Sequence, residues 1–116
     1  MMEEKRIVVY VIGAYSKPDP CINTNNAVKL GDVLWEKGFA PLIPHLIGHL
    51  WHTISPHPYQ MWIDLHLELM KKCDAVLWDK EYTPGASPGG ENEWKVAGEL
   101  GIPRFSSIKD LEALEI

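Results

Sequence analysis

The segment Ser87-Pro-Gly-Gly-Glu-Asn-Glu-Trp-Lys-Val-Ala97 holds the residues best suited to chemistry, two adjacent glycines followed by two carboxylates where a loop enters a helix. Gly89 and Gly90 would let a ligand come close to the backbone, and the first N–H groups of the helix would face it. Glu93 is expected in the first turn, where the helix dipole favours the ionised carboxylate, and a fixed carboxylate beside a sugar-sized hollow is a plausible covalent nucleophile. The plainer alternative is that Glu91 and Glu93 only decorate a helix start. Gly13-Ala-Tyr-Ser16 closes an apolar run, with a glycine suited to a tight turn and Tyr15 suited to stacking on a base or ribose. Taken alone, that segment reads as a turn. Neither a GxGxxG fingerprint nor a GxxxxGK[ST] phosphate loop occurs.

Histidines supply the next candidates. His45, His49 and His52 are spaced four and three apart and could line one helical face as metal ligands. No carboxylate follows in the HExxH pattern, and Pro44 and Gly48 weaken a long helix, so no metal is expected. His45, directly after a strand, reads better as a hydrogen-bonding group of a pocket. Asp64 and His66 lie two residues apart on one helix and therefore point in different directions, so only one can face a pocket squarely. The alternative for Asp64 is a surface cap or ion pair. The five tryptophans read as core or interface anchors, with Trp51 and Trp62 near the loop-rich end.

These residues need a scaffold, and the hydrophobic pattern describes one. Arg6–Ile12 is an unbroken β-branched run of the kind buried on both faces of a sheet. Gly13–Ile22 reads as a loop, and Asn23 or Thr24 as the cap of a helix ended by Gly38. Phe39–Ile43 is a second strand. His45–Pro58 reads as an irregular loop with a possible helical turn, before a helix from Pro58 or Tyr59 to Lys72. Asp74–Trp78 is a third strand, Asp79–Gly90 a second Gly/Pro-rich loop, and Gly90–Leu100 a third helix. Pro103–Phe105 makes a fourth strand, and Ser107 caps a terminal helix to about Leu114. Alternation of this kind implies parallel strands joined by right-handed crossovers. The expected fold is a single α/β domain over residues 1–116, a flavodoxin/Rossmann-like three-layer sandwich with a short parallel sheet of four or five strands. Such sheets bind ligands beyond the carboxyl ends of their strands, where the three long loops also lie.

Composition narrows the partners. One domain fits 116 residues, and the net charge of −5 argues against a nucleic-acid backbone as the partner. Cys21 and Cys73 fit neither a disulfide framework nor a zinc spacing. With no signal peptide ahead of Lys5 and no apolar run of membrane-spanning length, a soluble cytoplasmic protein without a membrane partner is expected.

Read together, the chain from Val8 to Phe105 resembles the nucleoside 2-deoxyribosyltransferase-like superfamily, including its small bacterial and phage members. The resemblance is carried by Val-Ile-Gly-Ala-Tyr-Ser16 with Pro18-Asp-Pro20, Asn23 followed by Ala27, Gly38-Phe-Ala-Pro41 and Pro44-His-Leu46. Tyr59 with Trp62, Cys73-Asp-Ala75, Ser87-x-Gly89-x-x-x-Glu93-x-x-x-Ala97 and Gly101-Ile-Pro103 complete it. It implies Glu93 as nucleophile, with Ser87 and Gly89 lining the sugar or 5′-phosphate site and Gly13 and Tyr15 in the same pocket. Ser16, Asn23, His45 and Gly90 join the substrate-binding set. The superfamily's helix aspartate, contacting base or sugar, is expected eight residues before Asp74; His66 stands there, with Asp64 two residues earlier. Either would assist the leaving base. The implied activity is cleavage or transfer of the N-glycosidic bond of a (deoxy)nucleoside or its 5′-monophosphate, without cofactor, in a homo-oligomer. A non-catalytic nucleotide-binding module of the same fold is the alternative, and a histidine-rich metal hydrolase a more distant one.

Overall fold

The computed structural model describes residues 5–15, 19–85 and 87–114. Four strands and five helices follow one another among them: β1 Val8–Val11, α1 Pro20–Glu36, β2 Ala40–Leu42, α2 Pro44–Ile54, α3 Tyr59–Met70, β3 Ala75–Leu77, α4 Pro88–Glu99, β4 Arg104–Phe105 and α5 Ile108–Glu112. All strand pairs are parallel, in the order β2-β1-β3-β4. This is the flavodoxin/Rossmann-like three-layer α/β arrangement expected from the pattern.

The central strand explains the layering. Successive side chains of a strand point to opposite faces, and both faces of β1 are covered. Val9 and Val11 pack with Ala27, Leu30 and Leu34 of α1 and with Ile108 and Leu111 at α5. Tyr10 and Ile12 face the other way, against Met70 of α3, Ala97 of α4, Cys73, Val76 and Trp78. The chain leaves β1 toward β2 on one side and returns to β3 on the other, so the order reverses at β1. A crevice beyond the carboxyl ends of β1 and β3 is where this topology places a ligand.

Local chemistry moves several boundaries from their sequence-based positions. Helix α1 begins at Pro20, not after Asn23 or Thr24, because the Asp19 carboxylate accepts the N–H groups of Cys21 and Ile22 and proline suits the first helical position. Most of the expected loop at 45–58 is helix α2. Pro44 acts there as a helix starter, not a breaker, and only 55–58 remain irregular. Helix α4 begins at Pro88, with Ser87 as its cap. Gly38 and Gly101, at φ +97° and +75°, end α1 and α4 in the left-handed conformation that glycine adopts without strain.

Two buried polar residues fix the loop after β3. The Thr83 hydroxyl lies 3.1 Å from the carbonyl oxygens of both Ile12 and Asp79. The Asp79 carboxylate accepts the N–H of Glu81 at 3.1 Å and that of Ile108 at 3.3 Å. The ends of β1, β3 and α5 are thereby joined where the site is expected. Among the described residues, no helix is long and apolar enough to cross a membrane.

Candidate functional site

Tyr10 and Glu93, 83 residues apart, meet between β1 and α4, where the Tyr10 hydroxyl donates to Glu93 Oε2. Strand alternation turns Tyr10 toward α4, and Glu93 lies one turn before the core residue Ala97 on the inward face of that helix. Burial pushes the Glu93 carboxyl up to about 7 from its ordinary 4.5, and the Tyr10 hydrogen bond pulls it partly back. Tyr10 is fully buried and pushed far above its ordinary range, first by burial and then by the Glu93 charge, so it remains a neutral donor. The expectation of a first-turn Glu93 whose ionised form the helix dipole favours is thus corrected. Glu91, not Glu93, is the acidic residue of the first turn. Glu93 lies two residues further along the helix, where desolvation outweighs the Tyr10 hydrogen bond, and it exchanges its proton near neutral pH.

Two histidines turn inward at the same end of the sheet. His45, the second residue of α2, is 5% exposed, and its Nε2 lies 3.0 Å from the Ala14 carbonyl oxygen. Burial lowers its pKa, against an opposing pull from the Ala14 and Gly13 carbonyls. His66 lies one turn before Met70 on α3; burial and then the proximity of His45 lower its pKa as well. Both imidazoles are therefore neutral at neutral pH. Asp64 takes the other direction: it is exposed and accepts the Gln60 side-chain amide at 2.8 Å. Of the pair two residues apart, His66 is the one that faces inward.

Most of the remaining candidates hold the scaffold. Asn23 is buried and donates to the Tyr15 carbonyl at 2.9 Å, which ties α1 to the loop after β1. The Tyr15 ring stands tilted against the His45 imidazole, 6.1 Å between centroids. Ser87 Oγ accepts the Gly90 N–H at 3.0 Å as a helix cap. Gly13 does not have the positive φ of a turn glycine. Its role is contact, since a Cβ there would lie 2.8 Å from Thr83 Cβ. Gly90 was expected to admit a ligand; a Cβ there would lie 3.1 Å from both Ile12 Cγ2 and Trp78 Cη2, so it admits the strand ends instead. Gly89 is not crowded: such a Cβ there would make ordinary contacts with Tyr59 Oη at 3.7 Å and Ser87 Oγ at 4.0 Å. Ser16 and the side chains of His49 and His52 lie outside the described residues. Among the described residues, no group of three or more His, Cys, Asp or Glu side chains could hold a metal.

Tyr10 was missed by sequence reading. It is hidden in an apolar run, and its only signal is that its hydroxyl is the one polar side-chain atom in Ile7–Ile12. The expectation of Glu93 at the mouth of a glycine-lined hollow also changes. Two depressions, about 350 Å³ around Trp78, Lys80, Glu91, Trp94 and Ser106 and about 600 Å³ reaching Lys95, Glu99 and Arg104, lie along α4, and Glu93 lines neither. The carboxylate is half-buried beside Tyr10 instead. We find no family model and no curated protein that matches this chain.

Proposed function

We propose that this protein cleaves or transfers the N-glycosidic bond of a (deoxy)nucleoside or nucleoside 5′-monophosphate, with Glu93 as nucleophile. The observation that carries the reading is the Tyr10–Glu93 pair, a carboxylate of pKa about 7 held between the central strand of the sheet and α4. It is supported by the resemblance to deoxyribosyltransferases set out above. Ionised Glu93 attacks C1′ as the C1′–N bond breaks, and the bonding electrons leave with the base. The inward-facing His66 is the group on α3 suited to hydrogen-bond the departing nitrogen. Water or a second base then displaces Glu93 from C1′ and restores the carboxylate, and the proton that the incoming group gives up neutralises the departed base. Tyr10 orients the carboxylate throughout.

Incubation with nucleosides and 5′-monophosphates, following free base by chromatography, tests this. Binding without base release would establish the second reading, a non-catalytic nucleotide-binding module, which the outward placement of Asp64 favours. Exposed Leu46, Trp51, Ile54 and Tyr59 give α2 and the start of α3 an apolar surface that supports a homo-oligomer. The free cysteines, Cys21 exposed and Cys73 buried, support a reducing cytoplasmic setting.

Two expectations follow from the protonation states. Attack needs the Glu93 anion, so kcat/KM for base release should rise with pH and reach half its plateau near pH 7, falling about tenfold per pH unit well below that. Tyr10→Phe removes the hydrogen bond that lowers the Glu93 pKa, so its half-plateau point should move upward. A rising limb near pH 4.5 would contradict the buried placement of Glu93. The second expectation separates the α3 residues. His66→Ala should slow base release by about a hundredfold, the lower range for acid–base assistance, while Asp64→Ala should leave the rate unchanged. The reverse order would mean that α3 presents its other face.

A further inference from the structure

His45 has one ring nitrogen engaged and one open. Its Nε2 faces the Ala14 carbonyl oxygen, which can only accept, so Nε2 carries the proton and donates. In a neutral imidazole the other nitrogen, Nδ1, is then a bare lone pair. Nδ1 is buried, and no donor reaches it among the described residues. A buried acceptor without a partner is costly and uncommon, and it asks for an explanation. Protonating Nδ1 does not provide one, because burial of the ring opposes charge on it.

We propose that the His45 Nδ1 lone pair reads an uncharged hydrogen-bond donor on the ligand, either a sugar hydroxyl or an N–H group of the base. This deepens the nucleoside reading above and rests on it. The argument also says what His45 does not bind. A phosphate offers only acceptors once ionised, and against this lone pair it would set acceptor on acceptor. Any 5′-phosphate must therefore lie away from this nitrogen. The Tyr15 ring, a little over a third exposed and leaning on the His45 imidazole, is the side chain that moves aside or stacks when the ligand enters.

Calorimetric titration of the Glu93→Gln protein, which binds without consuming ligand, tests the proposal. The four common 2′-deoxynucleosides are compared first. The tightest is then followed by its analogues lacking in turn the N–H group of the base, the 3′-hydroxyl and the 5′-hydroxyl. The same series is repeated with His45→Leu added. One deletion should weaken binding roughly tenfold when His45 is present, the worth of about one hydrogen bond, and have no effect with leucine. Which deletion does so distinguishes sugar from base. Because His45→Leu alters a buried position, ¹⁵N spectra of the unaltered protein give a second measure. They should show His45 Nδ1 unprotonated in the free chain and shifted when the nucleoside binds. Binding indifferent to every deletion in both proteins, or a proton on Nδ1 in the free chain, overturns this inference alone. Failure of all four nucleosides to bind removes it together with the nucleoside reading.

Discussion

Glu93→Gln should abolish base release, by a thousandfold or more as is usual for loss of a covalent nucleophile, and yet give a protein that resists unfolding better at alkaline pH. The second half follows from linkage. In the fold Glu93 holds its proton to about pH 7, and in the unfolded chain to about 4.5. Below pH 4.5 both states are protonated, and the group does not favour unfolding. As pH rises from 4.5 to 7 the unfolded chain ionises while the fold resists, and stability falls by about 3 kcal/mol in total. Glutamine never ionises and can still accept from Tyr10. The variant should therefore be more stable than the native protein by about 2–3 kcal/mol at pH 8, with the gap narrowing to under about 1 kcal/mol at pH 5. Urea unfolding at the two pH values measures it. A gap that does not change with pH would mean that Glu93 is solvated, and would remove the physical basis for its tuned reactivity.

Gly13→Ala should cost about 2–3 kcal/mol, within the range for overpacking a close contact, although alanine is the smallest possible addition. The new Cβ would lie 2.8 Å from Thr83 Cβ, and rotating the threonine side chain does not move that atom. Nor can the loop retreat freely, since the Thr83 hydroxyl is bonded to the Ile12 and Asp79 carbonyls. Separating the loops also disturbs Ala14, whose carbonyl holds His45, so ligand binding should weaken together with stability. Gly89→Ala is the contrast. The nearest atom there is 3.7 Å away, and a helical glycine replaced by alanine gains up to about 1 kcal/mol. Chemical denaturation of the two variants should move in opposite directions. A Gly13→Ala protein as stable as the native one would show that the two loops are not locked.

The elements that were legible in the sequence are those whose signal is local. Arg6–Ile12 read as a central strand because a parallel strand covered on both faces has no polar side to interrupt it. Asp74–Trp78 read the same way, and Gly38 and Gly101 marked true helix ends. Helix α2 was not legible, because Pro44 and four histidines in 45–58 look like loop composition. A proline at the first helical position, where its missing N–H costs nothing, outweighed that impression. The choice between Asp64 and His66 could not be read either. It depends on the rotation of α3, which is set by Leu67 and Met70 packing against the sheet.

The sequence by itself determined the kinds and order of the elements, the parallel sheet that follows from them, and the gathering of chemically able residues near strand ends. Each of these depends on backbone preference and burial periodicity over a few neighbouring residues. Only the tertiary structure decided that Glu93 meets Tyr10, that Gly13 and Gly90 serve contacts within the protein, and that His45 and His66 are neutral and turned inward. A protonation state is set by desolvation and by partners from distant parts of the chain. No local pattern around residue 93 records the hydroxyl that arrives from residue 10.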